Sequence, residues 1–592
     1  MEALKSRFPE LTFLPLLAPS SHPHYIYRPF NPSTQVLSAG HAKDPSRRQF
    51  RVDTFFEKDV AVEMRDKAKL YADVFRPTDS DGNNKVPAVI LWSPYGKDGG
   101  AQTYEEMGPF RCGVPLRTTS GYEKFEGLDP ADWCARGYAI VNIDARGAGD
   151  SDGDLAFWGE QEAMDMFDTV TWASKQPWSN GSVVFAGNSW LAMAQLNLAS
   201  RFSHPALKAL APWEASTDPY RDTIGRGGVP RPHFMRMICS GLAGKNRVED
   251  AASMFALHPL CDEYWESKVA RIEKIDVPLY LTASYSTGLH SRGSFDTFRR
   301  AKTSSKWLRV HPYQEWSDLY RPEVNDELQA FFDKYCKGLD TNWESTPRFR
   351  LSLIGFEGSP AKTVVERPEK AWPIPGTEYR TYFLDGGSQA LSLSKPATES
   401  VASYDGHHLT DCTDFSVRFD TYTELAGYPV AKLWMSCDEH DDMDVNVQIR
   451  KIAADGTALK SLNFQCPVPE PEVPDTNVVK FLGPDGMLRA SHRVSKTVVD
   501  GILDYTHDKA EKVAPGQIVE LEIPIWPIGM VFEAGEGILL RVAGHDLRLP
   551  EVEFLKSDVP LDENKGRHKI HTGGKWDSSL VVPVIAEGKK VQ

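Results

Sequence analysis

Six short apolar runs dominate the middle of the chain: Val86 to Ser93, Tyr138 to Ile143, Val183 to Ala186, Ala209 to Pro212, Pro278 to Ala283 and Trp307 to His311. None alternates cleanly between apolar and polar residues. Several are separated by stretches with helical spacing, such as Glu160 to Lys175 and Trp190 to Arg201. A strand that is apolar on both faces must be covered on both, and crossover helices between parallel strands supply that cover. The pattern predicts an α/β domain built on a mostly parallel sheet. The segment from about Thr217 to Arg271 breaks it. Gly227 and Gly228 are followed there by Met, His and aromatic residues in helix-length blocks. We read this as a helical cap inserted between two sheet strands.

From about Arg348 the character changes to short alternating strands separated by turns. Examples are Tyr379 to Asp385, Phe415 to Phe419, Val430 to Ser436, Val445 to Ile452, Gln517 to Ile523 and Gly537 to Val542. These predict an all-β antiparallel sandwich. The expected organisation is therefore an extension over residues 1–50, rich in Pro, His and Ser, an α/β domain over 51–347 with its cap near 217–271, and a sandwich over 348–592. Lys and Arg number 67 against 82 Asp and Glu, a net charge of 67 − 82 = −15. With no basic run, nucleic acid is a poor partner, since its phosphates demand clustered cations. No apolar run approaches the ~18 residues that a membrane span needs. Leu11 to Ala18 is interrupted by Pro15 and reads poorly as a signal peptide. The eight scattered cysteines contain no C-x-x-C pair, which fits reduced thiols and a cytoplasmic location. No metal or organic cofactor motif stands out. A small molecule is the expected partner, and a homo-oligomer is left open.

The chemistry centres on Gly187-Asn188-Ser189-Trp190-Leu191, between the strand Val183 to Ala186 and a helix starting near Trp190. A Ser on a strand-to-helix turn has its hydroxyl held out at the sheet edge. The N–H of the next residue and the helix N-terminus then face any oxyanion that develops. Leu191 stands where such turns commonly carry a second Gly, so the motif is imperfect. A Gly-Asn-Ser turn that merely caps a helix is the plainer alternative.

Three further segments extend the pattern: VEMRDKAKLYADVFRP over Val62 to Pro77, Pro94-Tyr95-Gly96-Lys97, and YAIVNIDARGAGDSDG over Tyr138 to Gly153. With the Ser189 turn they resemble the cocaine-esterase-like (CocE/NonD) hydrolases, relatives of the X-prolyl dipeptidyl peptidases. TYTELAGYPVAKLW from Thr421 and ASHR from Ala490 match that family more loosely. The resemblance covers most of the chain past Phe50. It implies an α/β-hydrolase domain, a helical cap and a C-terminal jelly roll. It also implies Ser189 as nucleophile, Tyr95 as one oxyanion donor through its hydroxyl, and the N–H of Trp190 as the other.

The rest of the family's triad is missing by position. Its acid follows the strand matching Pro278 to Ala283, where this chain has Thr287. Its His follows the strand matching Trp307 to Val310, where an ungapped match gives Glu315 and a match with two extra loop residues gives Ser317. A Ser hydroxyl without a base is a weak nucleophile. His311 and His290 are the nearest imidazoles in sequence. Glu315 and Glu214 are the candidate carboxylates, with solvated loop charge or helix capping as the bland alternative. Trp213, Tyr285, Tyr313 and Trp316 fall at strand ends and suit an apolar pocket, or simply the core. Three functions remain open: a serine hydrolase or acyl-transfer enzyme acting on a small ester, amide or thioester; a non-hydrolytic isomerase, cyclase or lyase using Glu315 or Glu214 for proton transfer; and an inactive binding protein.

Overall fold

The computed structural model describes residues 2–23, 25–82, 84–97, 108–286, 288–550 and 562–588. Eleven strands form the first sheet: β1 (Ser33–Leu37), β2 (Thr54–Glu63), β3 (Lys69–Pro77), β4 (Val86–Ser93), β5 (Ala139–Asp144), β6 (Ser179–Asn188), β7 (Leu207–Trp213), β8 (Leu279–Ala283), β9 (Lys306–Val310), β10 (Phe349–Leu353) and β11 (Val364–Glu369). Their order across the sheet is β11-β10-β9-β8-β7-β6-β4-β5-β3-β2-β1. The block from β5 through β4, β6, β7, β8 and β9 to β10 is parallel. The remaining edge strands pair antiparallel. Every residue of β4 and β5 is buried, which is why these runs carry no alternation.

Helix α1 (Glu160–Ser174) packs beside α2 (Trp190–Arg201), and α3 (Ser291–Arg300) connects β8 to β9. Because β6 to β9 run parallel, the loops that follow them emerge at one edge of the sheet. These loops start at Ser189, Glu214, Ser284 and His311, and that edge is where open α/β sheets hold ligands.

The cap lies between β7 and β8. It comprises a π-helical turn over Pro219–Ile224, helices over Pro232–Gly241, Ala251–Leu257 and Glu263–Glu266, and one short strand, Arg247–Glu249. That strand pairs with Phe13–Pro15, and β1 joins the sheet edge. The first 50 residues are thus built into both sheet and cap and not only an extension around them. Similarly β10 and β11 lie past residue 347, so the α/β sheet continues to Glu369. The edge strand β11 reads VVERPE with no fully buried position, whereas β10, between β9 and β11, buries four of its five residues.

The second domain is an antiparallel sandwich whose strands run from Glu378–Asp385 to Ser579–Glu587. It is the β jelly roll of the expected fold class. The two domains are stitched at Ile354, whose N–H donates to Gly529 O at 2.9 Å while Val531 N donates to Ile354 O at 3.2 Å. Arg226 of the cap pairs with Asp485 at 2.7 Å, and Arg292 bridges Asp222 and Asp504. A cavity of about 530 Å³ between cap and sandwich is lined by residues such as Arg221, Tyr428, Tyr505 and Trp526, and by none of the candidate site residues. All eight cysteines are free thiols. Among the described residues no helix is long and apolar enough to cross a membrane.

Candidate active site

Ser189 adopts φ +52° and ψ −119°, between the end of β6 and the start of α2. A non-glycine residue holds such a conformation only when its surroundings enforce it. Here the enforcement is visible. Ser189 N donates to Glu214 O at 3.1 Å, Asn188 N donates to Glu126 O at 3.1 Å, and Asn188 Nδ2 donates to Glu315 O at 3.0 Å. Gly187 has φ +120°, and a Cβ there would lie 2.5 Å from Leu191 Cδ2 and 2.7 Å from Glu126 O. Gly187 is therefore required by close approach. Leu191, the residue in the unusual position, fills the space that Gly187 leaves open. Ser189 is partly exposed, while its neighbours Asn188 and Trp190 are buried.

Tyr95 follows β4 and sits next to the elbow. Its ring packs edge-on to Trp190 at 6.0 Å and to Phe125 at 5.4 Å, and Phe125 packs edge-on to Trp316 at 5.1 Å. The Tyr95 turn is pinned by buried charges. Lys97 contacts Asp59 at 2.9 Å, and Lys124 donates to Gly96 O at 2.9 Å and faces Asp144 at 3.5 Å. Gly96 has φ +93°, and a Cβ there would collide with the Tyr25 ring at 2.8 Å.

Trp190 is fixed from the other side. Its Nε1 donates to Glu162 Oε1 at 2.9 Å, Trp92 Nε1 donates to the same oxygen at 3.2 Å, and Asn197 Nδ2 donates to Glu162 Oε2 at 3.3 Å. Burial pushes Glu162 up to about 7, although these three donors, Trp190 first, act against it. Phe157 and Trp158 pack on Trp190 with centroids 5.2 and 5.0 Å away.

Two imidazole–carboxylate pairs lie at the neighbouring loops. His290, at the N-cap of α3, places Nδ1 3.3 Å from Glu315 Oε2. His311, at the end of β9, places Nε2 3.0 Å from Glu214 Oε1 and 3.6 Å from Asp318 Oδ2. Its buried Nδ1 makes no hydrogen bond among the described residues. Asp318 accepts from Arg309 Nη1 at 3.0 Å and also from Arg309 Nη2. Glu214 is fully buried at φ +53°.

Burial pushes the Glu315 carboxyl up, against the His290 imidazole, and the Glu214 charge adds to the rise. Burial also lifts Glu126 well above the carboxylate range, and the charge of Glu315 adds to it, while the hydrogen bond from Trp316 Nε1 at 3.1 Å opposes it. Donor atoms of Glu214, His290 and Glu315 lie within 4.8 Å of one another, the one group among the described residues close enough to hold a metal ion.

The sheet edge thus brings Ser189, Tyr95, Trp190, Glu214, His290, His311, Glu315 and Trp316 together. The other three aromatic candidates face elsewhere. Trp213 is buried against Tyr280 at 5.8 Å. Tyr285 stacks on Phe295 and lies against Gly529 of the sandwich, where a Cβ would sit 2.2 Å from its ring. Tyr313 lies under the Arg321 guanidinium at 4.1 Å and alongside His311. Trp213 thus enters the core and Tyr285 the domain seam, while Tyr313 stays half-buried beside His311. Thr287, the residue in the acid position, lies outside the described residues. Phe125, Glu126, Phe157, Trp158 and Glu162 stand in no sequence motif, and only long-range contacts bring them to the site.

A strained strand-to-helix serine turn on a parallel sheet, with a cap and a jelly roll, defines an α/β-hydrolase architecture. Residues 66–254 match the model of the X-Pro dipeptidyl-peptidase S15 family, and residues 341–581 match its C-terminal non-catalytic domain. A CocE/NonD family hydrolase from Staphylococcus aureus is 30% identical, with 98% of this chain and 99% of that one covered and a TM-score of 0.82. The chain belongs to the CocE/NonD hydrolase family. Cocaine esterase from Rhodococcus sp. is 26% identical over 89% of this chain and 98% of its own. A putative Xaa-Pro dipeptidyl-peptidase from Rhodopirellula baltica is 25% identical over 84% of each.

Proposed function

We propose that this protein hydrolyses a small ester, amide or thioester, or transfers its acyl group, through an acyl-enzyme on Ser189. The observation that carries the reading is the Ser189 conformation, φ +52° and ψ −119° at a strand-to-helix turn, latched by Glu214, Glu126 and Glu315. A capping Ser needs no such strain, and a nucleophile presented to substrate does. Tyr95 and the Trp190 N–H supply the oxyanion donors. Tyr95, Phe125, Trp190 and Trp316 offer an aromatic wall for a small acyl or leaving group. The names of the relatives, an esterase and a peptidase, fit acyl transfer in general and leave the substrate class to be measured. By position the family's acid is replaced by Thr287 and its His by Glu315 or Ser317, so no imidazole stands at the family's place for the base.

A fluorophosphonate probe tests the reading directly. It should form one adduct, mapped by mass spectrometry to Ser189, and Ser189→Ala should take none. Absence of labelling in the folded wild-type protein would sink the proposal. Tyr95→Phe deletes one hydroxyl from a pinned side chain. Loss of an oxyanion donor costs about 2.7–4 kcal/mol of activation. Turnover of an activated ester should therefore fall about 10²–10³-fold with unfolding temperature kept. An unchanged rate would leave Tyr95 a packing role.

The raised carboxyls of Glu315 and Glu126 favour a second reading. A carboxyl kept neutral can donate a proton in an isomerisation, cyclisation or elimination. That chemistry needs no oxygen on residue 189, so Ser189→Ala separates the two.

A further inference from the structure

Two imidazoles stand near the elbow, and their surroundings differ. His311 turns Nε2 inward to Glu214 and Asp318, beside the buried ion network of Asp318, Arg309 and Glu366. His290 turns Nδ1 to Glu315, so its Nε2 lies on the opposite edge of the ring. Glu315 is tied by its carbonyl to Asn188, the residue before the nucleophile. The His290 segment is anchored independently. Ser291 Oγ donates to Ser284 O at 2.6 Å, Arg548 Nη1 donates to Gly288 O at 2.6 Å, and Ala215 N donates to Ser294 Oγ at 2.9 Å. Ala215 directly follows Glu214, whose carbonyl holds Ser189 N. Glu315 is thus bonded to Asn188, and the helix that follows His290 is bonded to the residue after Glu214.

We propose that His290 is the catalytic base of Ser189 and that Glu315 is its positioning residue, so that the imidazole and the carboxylate have exchanged the loops expected to carry them. The inference rests on the reading of Ser189 as nucleophile. An imidazole serves as a base when one nitrogen is held by a carboxylate and the other faces the nucleophile. Glu315 fixes the tautomer with the proton on Nδ1 and steadies the imidazolium. Ser189 Oγ attacks the acyl carbon and its proton passes to His290 Nε2, while the carbonyl π pair moves to the oxygen held by Tyr95 and the Trp190 N–H. Collapse of that intermediate expels the leaving group, which takes the proton from Nε2. Water then gives a proton to Nε2 and attacks the acyl carbon, and collapse releases the acid as Ser189 Oγ regains its proton. The imidazolium formed on the way also offsets the burial and the Glu214 charge that weigh against an ionised Glu315.

The test is the second-order rate of fluorophosphonate labelling of the full-length chain, measured against pH. It needs no knowledge of the natural substrate. In the wild type the rate should rise with pH along an imidazole limb and then level. His290→Gln should label about 10²–10⁴-fold more slowly and lose that limb. Glu315→Gln should keep the limb but shift it to lower pH, because the charge that favours imidazolium is gone. His311→Gln should lower the unfolding temperature and keep the limb. Labelling by His290→Gln at the wild-type rate would overturn the proposal while leaving Ser189 as nucleophile. So would loss of the limb in His311→Gln alone. Should His290→Gln fail to fold, Glu315→Gln still decides, since an unmoved limb contradicts the pair. EDTA should not alter labelling. Loss with EDTA and recovery with Zn²⁺ would make Glu214, His290 and Glu315 a metal centre and overturn the assignment. No labelling at all in the wild type would instead remove the parent reading.

Discussion

Ser189→Ala should lower turnover of an activated aryl ester by about 10⁶, to a residue set by the oxyanion donors and binding alone. The substitution removes a single oxygen from a partly exposed side chain. The backbone latches, Ser189 N to Glu214 O and Asn188 Nδ2 to Glu315 O, remain. Stability should therefore change little, and the loss should appear in kcat rather than in the apparent affinity for a competitive inhibitor. Ala at φ +52° is no more strained than Ser, so the elbow has no reason to relax. Pre-steady-state measurements on the wild type should show a burst of aryl leaving group before the slower release of acid. Retention of full turnover by the Ala variant would transfer the chemistry to the buried carboxyls. In that case Glu315→Gln, rather than Ser189→Ala, should abolish it.

The parts of the molecule that were legible from sequence share one property: local residues determine them. β4 and β5 bury every side chain, so composition alone reveals them. The elbow is five consecutive residues flanked by a strand and a helix, and it can be read in a single window. β1 and β11 carry no readable burial pattern because an edge strand gains its identity from its neighbour. The site partners behave similarly. Glu162 touches Trp92, Trp190 and Asn197, and Glu126 touches Asn188 and Trp316. No period in the sequence connects those positions. Tyr285 follows β8 and by position suits the pocket, yet the sandwich approaches at Gly529 and takes its ring into the domain seam. His290 shows the limit most plainly. As a sequence feature it is a residue before a helix, and its contact with Glu315 depends on two loops separated by the whole of α3 and β9.

That contact also depends on the floor beneath the loops, where burial makes one ion pair expensive to break. Arg309 is fully buried, and its guanidinium meets Asp318 through two nitrogens, Tyr280 Oη at 3.1 Å and Glu366 at 3.0 Å. Burial alone would raise the Asp318 carboxyl, but the Arg309 guanidinium outweighs it and holds the group well below the usual carboxylate range. Asp318→Asn keeps the shape and deletes the charge, leaving Arg309 partly uncompensated in the interior. Removing one partner of a buried pair costs about 3–5 kcal/mol. The variant should lose stability of that order in urea at neutral pH. The double variant Arg309→Met, Asp318→Leu should lose clearly less than Asp318→Asn, since an apolar pair of similar size pays no desolvation. The pH dependence follows from the sign of the shift. A carboxyl bound more weakly by protons when folded stabilises the protein above its unfolded pKa, about 3.9, and that contribution fades as pH falls through and below it. The wild type should therefore lose its advantage over Asp318→Asn on acidification below about pH 4. Equal stability of the two proteins at pH 7 would mean that Glu366 and Tyr280 suffice to balance Arg309, and that Asp318 is not what holds the loop carrying Glu315 against the elbow.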